Sequence, residues 1–194
     1  MIKKGLFFGS FDPIHNGHLE IVNFFLNNTF LNEVIFVITP QNPSKSGNKN
    51  RNFIKRHEAV KMVTKNNPKV KTSDIEFRLP APNFTCNTLK FLRTTNPEIE
   101  YIFIMGSDLL EEFDKWNDYQ DILDNHNLYI YPRNNERSIP KKFKKNNKIK
   151  FFDAPIMQVS STLVRQKYRK GESIKDLVPL DVFNFIKKHN LYDD

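Results

Sequence analysis

The sequence predicts an α/β fold: a doubly wound, mostly parallel sheet with helices on both faces. Three observations predict it. Short apolar runs alternate with segments of helical spacing along the whole chain. The runs are continuous, as at residues 33–39 (Glu-Val-Ile-Phe-Val-Ile-Thr), and do not alternate polar with apolar. Strands buried on both faces read this way, and parallel sheets are buried on both faces. The runs also close on punctuating residues such as Gly9, Pro40, Gly106 and Pro132, where a strand gives way to a turn.

Each element follows in order. Residues 2–8 are a short apolar run and the first strand. Residues 9–15 hold Gly, Ser, Asp and Pro and form a loop. From Asn16 the apolar Leu19, Val22, Phe25 and Leu26 recur at helical spacing. Residues 33–39 are a second buried strand, and 40–52, polar with Pro, Gly and Ser, an exposed loop. Residues 53–65 are helical, with Ile54, His57, Val60, Met62 and Val63 as the inner side. Another helix covers 85–94. Residues 100–105 make a third strand, 127–131 a fourth and 149–152 a short fifth. Two helices, 161–170 and 180–189, finish the chain.

This is a Rossmann-like arrangement. Neither a repeat nor a linker interrupts it, so residues 1–194 are expected to form a single domain. In such sheets ligands bind beyond the carboxyl ends of the strands. The segments that matter most are therefore 9–18, 39–45, 106–108 and 131–133.

Bulk composition narrows the classes. The length suits one domain with a sizeable core, and 18 Phe residues can fill it. The single cysteine, Cys86, excludes an internal disulfide framework and a Cys-based zinc site. The apolar run after Lys3 and Lys4 is too short for a signal peptide. No stretch approaches the roughly 20 apolar residues of a membrane span. A cytoplasmic protein without a membrane partner is expected. The formal net charge of +8 suits nucleic-acid binding or the handling of small phosphorylated ligands. Much of the excess lies at 141–150, where a charge run reads as a solvated loop.

The chemistry sits at the two ends. The first strand leads into Gly9-Ser10-Phe11-Asp12-Pro13-Ile14-His15-Asn16-Gly17-His18. This is neither a dinucleotide fingerprint nor a P-loop, yet it lies where a phosphate loop belongs. Gly9 and Ser10 let backbone amides approach a ligand. His15 and His18 share one face of a first helical turn, where free amides and the helix dipole favour anions. Phosphate contact, two surface histidines and a zinc pair are the three readings; catalytic zinc needs three protein ligands, and nothing nearby completes a set. Near the other end, Ser160, Ser161 and Thr162 read as an N-cap and first turn, with Arg165 about one turn on. Their hydroxyls, amides and guanidinium can hold polyphosphate, or they simply cap a helix.

The H-x-G-H element and the segment Val159-Ser160-Ser161-Thr162-Leu163-Val164-Arg165 resemble the two signatures of the adenylyl- and cytidylyltransferase superfamily, in the expected order. Between them the chain resembles the bacterial nicotinate-nucleotide adenylyltransferases over nearly its whole length. The likeness lies in residues 9–13, the loop 40–45, Arg56 and Met62, and Phe84-Thr85-Cys86-Asn87-Thr88-Leu89. It continues in residues 103–109, Trp116 and Tyr131-Pro132-Arg133. Phe8 stands where Gly is common there, and Phe84 where Tyr is common.

The resemblance implies a site. Gly9, Ser10 and His18 line the dinucleotide and phosphate region, and Lys45 reaches a substrate phosphate. Thr85 and Thr88 lie beside the nicotinate end, and Trp116 stacks on the pyridine. Gly106 and Asp108 approach the adenylyl ribose, and Arg133 the adenine. Residues 162–165, with Ser161, hold the triphosphate, and His15, His18 and Arg165 carry the catalysis. Trp116 also reads as core, Asp108 as a helix cap and Lys45 as a loop lysine. The implied reaction moves AMP from ATP to nicotinate mononucleotide. Mg²⁺ would be held mainly by the ATP phosphates, so no protein metal site is expected. No nucleic-acid partner is expected, and self-association is. Nicotinamide mononucleotide, phosphopantetheine and a cytidylyltransferase substrate are rival acceptors. A non-enzymatic nucleotide- or RNA-binding protein is the rival from another class.

Overall fold

Strand β1 (Ile2–Gly9) occupies the middle of the sheet, paired with β2 (Glu33–Ile38) on one side and β4 (Ile99–Gly106) on the other. In this computed structural model, residues 1–40, 53–133 and 140–193 are described. Among them β3 (Val70–Ser73), β5 (Leu128–Tyr131) and β6 (Ile149–Phe151) complete a sheet of order β3-β2-β1-β4-β5-β6, in which every pairing is parallel. This is the doubly wound order, as the alternating runs predict.

The helices are α1 (Asn16–Asn28), α2 (Phe53–Thr64), the short α3 (Ile75–Arg78), α4 (Thr85–Thr95), the short α5 (Ser107–Leu110), α6 (Tyr119–Asn125), α7 (Ser161–Arg169) and α8 (Leu180–Lys188). They divide between two cores. Phe7, Phe36, Ile102, Ile104 and Tyr129 face one core, with Val22, Phe25, Val60, Val164 and Ile186 of α1, α2, α7 and α8. Leu6, Val37, Phe103, Met105 and Ile130 face the other, with Leu89, Leu110 and Ile122 of α4, α5 and α6. Successive strand residues thus enter opposite cores, which is why the runs are apolar throughout.

Three expectations need correction. β3 was not foreseen: Val-Lys-Thr-Ser offers one buried apolar residue, and pairing to β2 makes it a strand. In α2 the inner face is Phe53, Arg56, Ala59, Val60 and Thr64, while Ile54 is 70% exposed. The basic run 141–150 is not simply a loop. Phe143 is buried against Phe113, Lys142 pairs with Asp114 at 2.5 Å, and the run ends in β6. Among the described residues no helix is long and apolar enough to cross a membrane.

Candidate active site

Because every strand runs the same way, the described parts of the predicted segments, 9–18, 39–40, 106–108 and 131–133, gather at one edge. β1 ends at Gly9, whose carbonyl accepts the Thr39 amide at 2.9 Å. The chain leaving β1 goes to α1 on one face, and the chain leaving β4 goes to α5 on the other. The crevice between them is the topological switch point, where ligands bind.

The loop after β1 is shaped by close packing. Phe11, buried at a left-handed φ of 46°, turns its ring beneath Gly9, where a Cβ would lie 2.9 Å from Phe11 Cζ. At Gly17 a Cβ would lie 2.8 Å from Val159 Cγ1. The glycine of H-x-G-H thus lets the approach to α7 lie directly on the first turn of α1.

His15 is the N-cap of α1, with extended backbone, and His18 is three residues on. The His15 amide donates to His18 Nδ1 at 3.2 Å. That fixes the neutral tautomer of His18: its proton is on Nε2, which is a donor. The rings stack with centroids 3.5 Å apart, and Phe11 meets His18 edge-on at 5.0 Å. Burial, reinforced by the Arg133 charge, brings the His15 pKa down to about 4. His18 is held well below the ordinary imidazole range by burial, then by His15 and Arg133. Both rings are neutral at pH 7. His15 Nδ1 is buried without a hydrogen-bond partner among the described residues.

The C-terminal motif meets this loop. Ser160 caps α7 by accepting the Leu163 amide at 3.1 Å. The Ser161 hydroxyl donates to the Pro13 carbonyl at 2.9 Å. Arg165 donates to the Asp12 carbonyl at 2.5 Å and to Thr162 Oγ1 at 3.3 Å. Thr162 is exposed in the first turn of α7.

At the β4 and β5 ends, Gly106 is the N-cap of α5, and a Cβ there would press on Asp108 Oδ1 and on Arg133 Cγ, the latter at 2.7 Å. Ser107 Oγ accepts the Arg133 amide at 3.1 Å. Asp108 is exposed and lies 3.7 Å from Arg133 Nε. Arg133 therefore joins the β5 end to α5, and its charge reaches both histidines.

The remaining predicted residues divide. Thr85 begins α4, whose N-cap, Phe84, supplies no side-chain cap. Trp116 is half-buried and packs on Phe113 and Phe103, with centroids 5.5 and 6.1 Å away. The side-chain Nδ2 of the neighbouring Asn117 donates to Cys86 Sγ at 3.3 Å, so Trp116 is held beside the first turn of α4. Thr88 is buried and donates to Glu76 Oε1 at 3.0 Å, so its hydroxyl is engaged inside the protein. Ser10 is exposed, and its carbonyl accepts from Arg56 at 2.5 Å. Lys45 lies outside the described residues.

The profile of the cytidylyltransferase-like family matches residues 6–167. A protein of Flavobacterium psychrophilum described as a probable nicotinate-nucleotide adenylyltransferase is 42% identical over 191 residues, covering 98% of this chain and 99% of that protein. This chain belongs to the nicotinate-nucleotide adenylyltransferase family. A Clostridium tetani relative of the same description is 35% identical, covering 99% of this chain and all of that one. The solved Plasmodium falciparum nicotinic acid mononucleotide adenylyltransferase complexed with NaAD superposes with a TM-score of 0.82. It covers 100% of this chain and 98% of that one at 23% identity, a likeness of fold.

Within this adenylyltransferase, sequence reading gave no role to four residues of the site. Arg56 is buried and donates to the carbonyls of Ser10, Thr39 and Pro40, clamping the loops after β1 and β2. Glu76 is buried beneath α4; burial, opposed by hydrogen bonds from Thr39 and Thr88, raises its pKa to about 7. Asp12 accepts the Tyr192 hydroxyl at 2.7 Å. Nothing local marks Arg56, Glu76 or Tyr192, since their partners lie on other elements. No group of three or more His, Cys, Asp or Glu among the described residues could hold a metal ion.

Proposed function

We propose that this chain transfers AMP from ATP to nicotinate mononucleotide, forming nicotinate adenine dinucleotide and pyrophosphate in NAD biosynthesis. The observation that carries the chemistry is the bonding of the two ends: Ser161 to Pro13 and Arg165 to Asp12. These bonds bring the first turns of α1 and α7 together, two anion-favouring helix starts on one crevice. The acceptor is supported by the relatives, which are described as nicotinate-nucleotide enzymes along their whole length.

In the reaction an oxygen of the acceptor's 5′-phosphate forms a bond to the α-phosphorus of ATP. The bond to the bridging oxygen breaks, and pyrophosphate leaves with the electron pair. A phosphate monoester is largely ionised at pH 7, its second pKa being near ~6, so no general base is required. Two neutral imidazoles suit this, because they serve as donors. His18 Nε2–H and His15 meet the transferring and leaving phosphates, and Arg165 and Thr162 meet the polyphosphate. Gly9 and Ser10 admit the phosphates closely. Gly106, Asp108 and Arg133 take the adenosine end. Thr85, Trp116 and Lys45 take the acceptor; Thr88, expected beside them, gives its hydroxyl to Glu76 instead. Catalysis then comes from positioning and charge stabilisation.

Mg²⁺ would arrive on the ATP phosphates and neutralise part of their charge. The residues of the crevice fit that arrangement better than a protein cage, since magnesium keeps much of its water when phosphates hold it. In this reading residues 1–194 form one domain, able to self-associate, in the cytoplasm.

The test is pyrophosphate release from ATP and Mg²⁺ with nicotinate mononucleotide, nicotinamide mononucleotide or phosphopantetheine offered separately. Release with the first alone is expected. Release with another acceptor would move the specificity, and release with none would overturn the reading.

A further inference from the structure

Asp12 stands between two partners and is committed to one. Its Oδ1 accepts the Tyr192 hydroxyl at 2.7 Å, while its Oδ2 is 3.9 Å from Arg165 Nη1. An unrestrained carboxylate beside a guanidinium closes to a forked pair at about 2.8 Å. Here that closure has not occurred. Arg165 reaches the Asp12 backbone carbonyl and Thr162, and its ion pair with the Asp12 carboxylate stays long and unforked. The other nearby cation, Arg56, is occupied by three carbonyls.

Delivering the Tyr192 hydroxyl takes deliberate backbone geometry. The tail after α8 turns through left-handed Asn190 and Tyr192, at φ 48° and 77°; such values are unfavourable for a bulky side chain. Between them Leu191 is buried, and its amide donates to the Ile186 carbonyl at 3.0 Å. Burial and the neighbouring Asp12 carboxylate hold the phenol protonated, so it remains a donor.

Resting on the adenylyl-transfer reading above, we infer that Tyr192 is a positioning residue. Its hydroxyl holds the Asp12 carboxylate off Arg165 and so keeps the guanidinium available to the polyphosphate of ATP. Without that hydroxyl, Asp12 would turn to Arg165 and withdraw it.

The experiment is Tyr192→Phe in the full chain, with KM measured separately for ATP and nicotinate mononucleotide, ATP affinity measured by calorimetry without acceptor, and Tm recorded. A lost competition of this kind should weaken ATP by about five-fold and leave the acceptor KM within about two-fold, with Tm nearly unchanged. In an Asp12→Asn background no charge remains to capture Arg165, so Tyr192→Phe should add nothing. Equal weakening of both substrates, no weakening of ATP, or full additivity with Asp12→Asn would each overturn the inference. If Tyr192→Phe fails to fold, Asp12→Asn alone decides: ATP affinity unchanged or tighter supports it, and a loss of five-fold or more overturns it. The calorimetric arm needs no acceptor, so a wild type that binds ATP without turnover would count against the reaction and leave the inference standing or falling on its own.

Discussion

The imidazoles of His15 and His18 lie face to face, centroids 3.5 Å and planes 22° apart. Two cations could not sit so. Burial keeps both rings neutral, and the His15 amide on His18 Nδ1 leaves the opposite nitrogen of His18 as the donor. His18 is thus fixed as a donor through Nε2, with the neutral His15 ring stacked on it.

His18→Ala removes that donor. Loss of one such group typically lowers kcat by ~100-fold or more, and this is the outcome expected in the pyrophosphate-release assay, with the fold retained by circular dichroism. A near-normal kcat would remove His18 from the chemistry.

The neutral state of His15 makes the fold acid-sensitive. Its folded pKa of about 4 lies below the ordinary 6.5 of an unfolded chain, so between these values the unfolded chain binds more protons. Stability is therefore full above about pH 6.5 and is lost as pH falls toward 4, by on the order of 3 kcal/mol. In urea titrations of the ligand-free protein, His15→Asn should show a flatter fall across this window than the wild type. Parallel slopes would refute the assignment.

Glu76 works in the opposite sense. Its folded pKa, raised by burial to about 7, exceeds the ordinary 4.5, so the folded chain binds more protons between those values. Its contribution falls as pH rises from about 4.5 to 7, again by on the order of 3 kcal/mol. Glu76→Gln keeps an oxygen for Thr88 and carries no charge. It should raise Tm at pH 8 and match the wild type near pH 5; a gain independent of pH would contradict this.

Gly17→Ala places a methyl 2.8 Å from Val159 Cγ1 and 3.1 Å from Met157 Cβ. Overpacking of this kind costs about 1–3 kcal/mol. Because the displaced segment leads into the Ser160 cap, activity should fall along with Tm. An unchanged melting curve would mean the two segments separate without cost.

Much of this protein is local and was legible as such. Continuous apolar runs mark strands covered on both faces, and the structure covers both faces of β1, β2, β4 and β5. The two family motifs, at His15–His18 and Ser160–Arg165, carry their residue types in short spacings, so both could be found without a fold. Weak local signals failed where pairing decides: β3 has one buried apolar residue and becomes a strand through β2. The burial of Arg56 in place of Ile54 likewise follows from carbonyls on two other loops.

The sequence by itself determined the alternation of five of the six strands with the longer helices, and with it the sheet edge on which the two motifs lie, because backbone periodicity is written in neighbouring residues. Only the tertiary structure decided which groups complete the crevice. Ser161 finds Pro13 across 148 positions, and Tyr192 finds Asp12 across 180. Such bonds depend on where the parallel sheet sets down distant ends of the chain, and no spacing between neighbours records that.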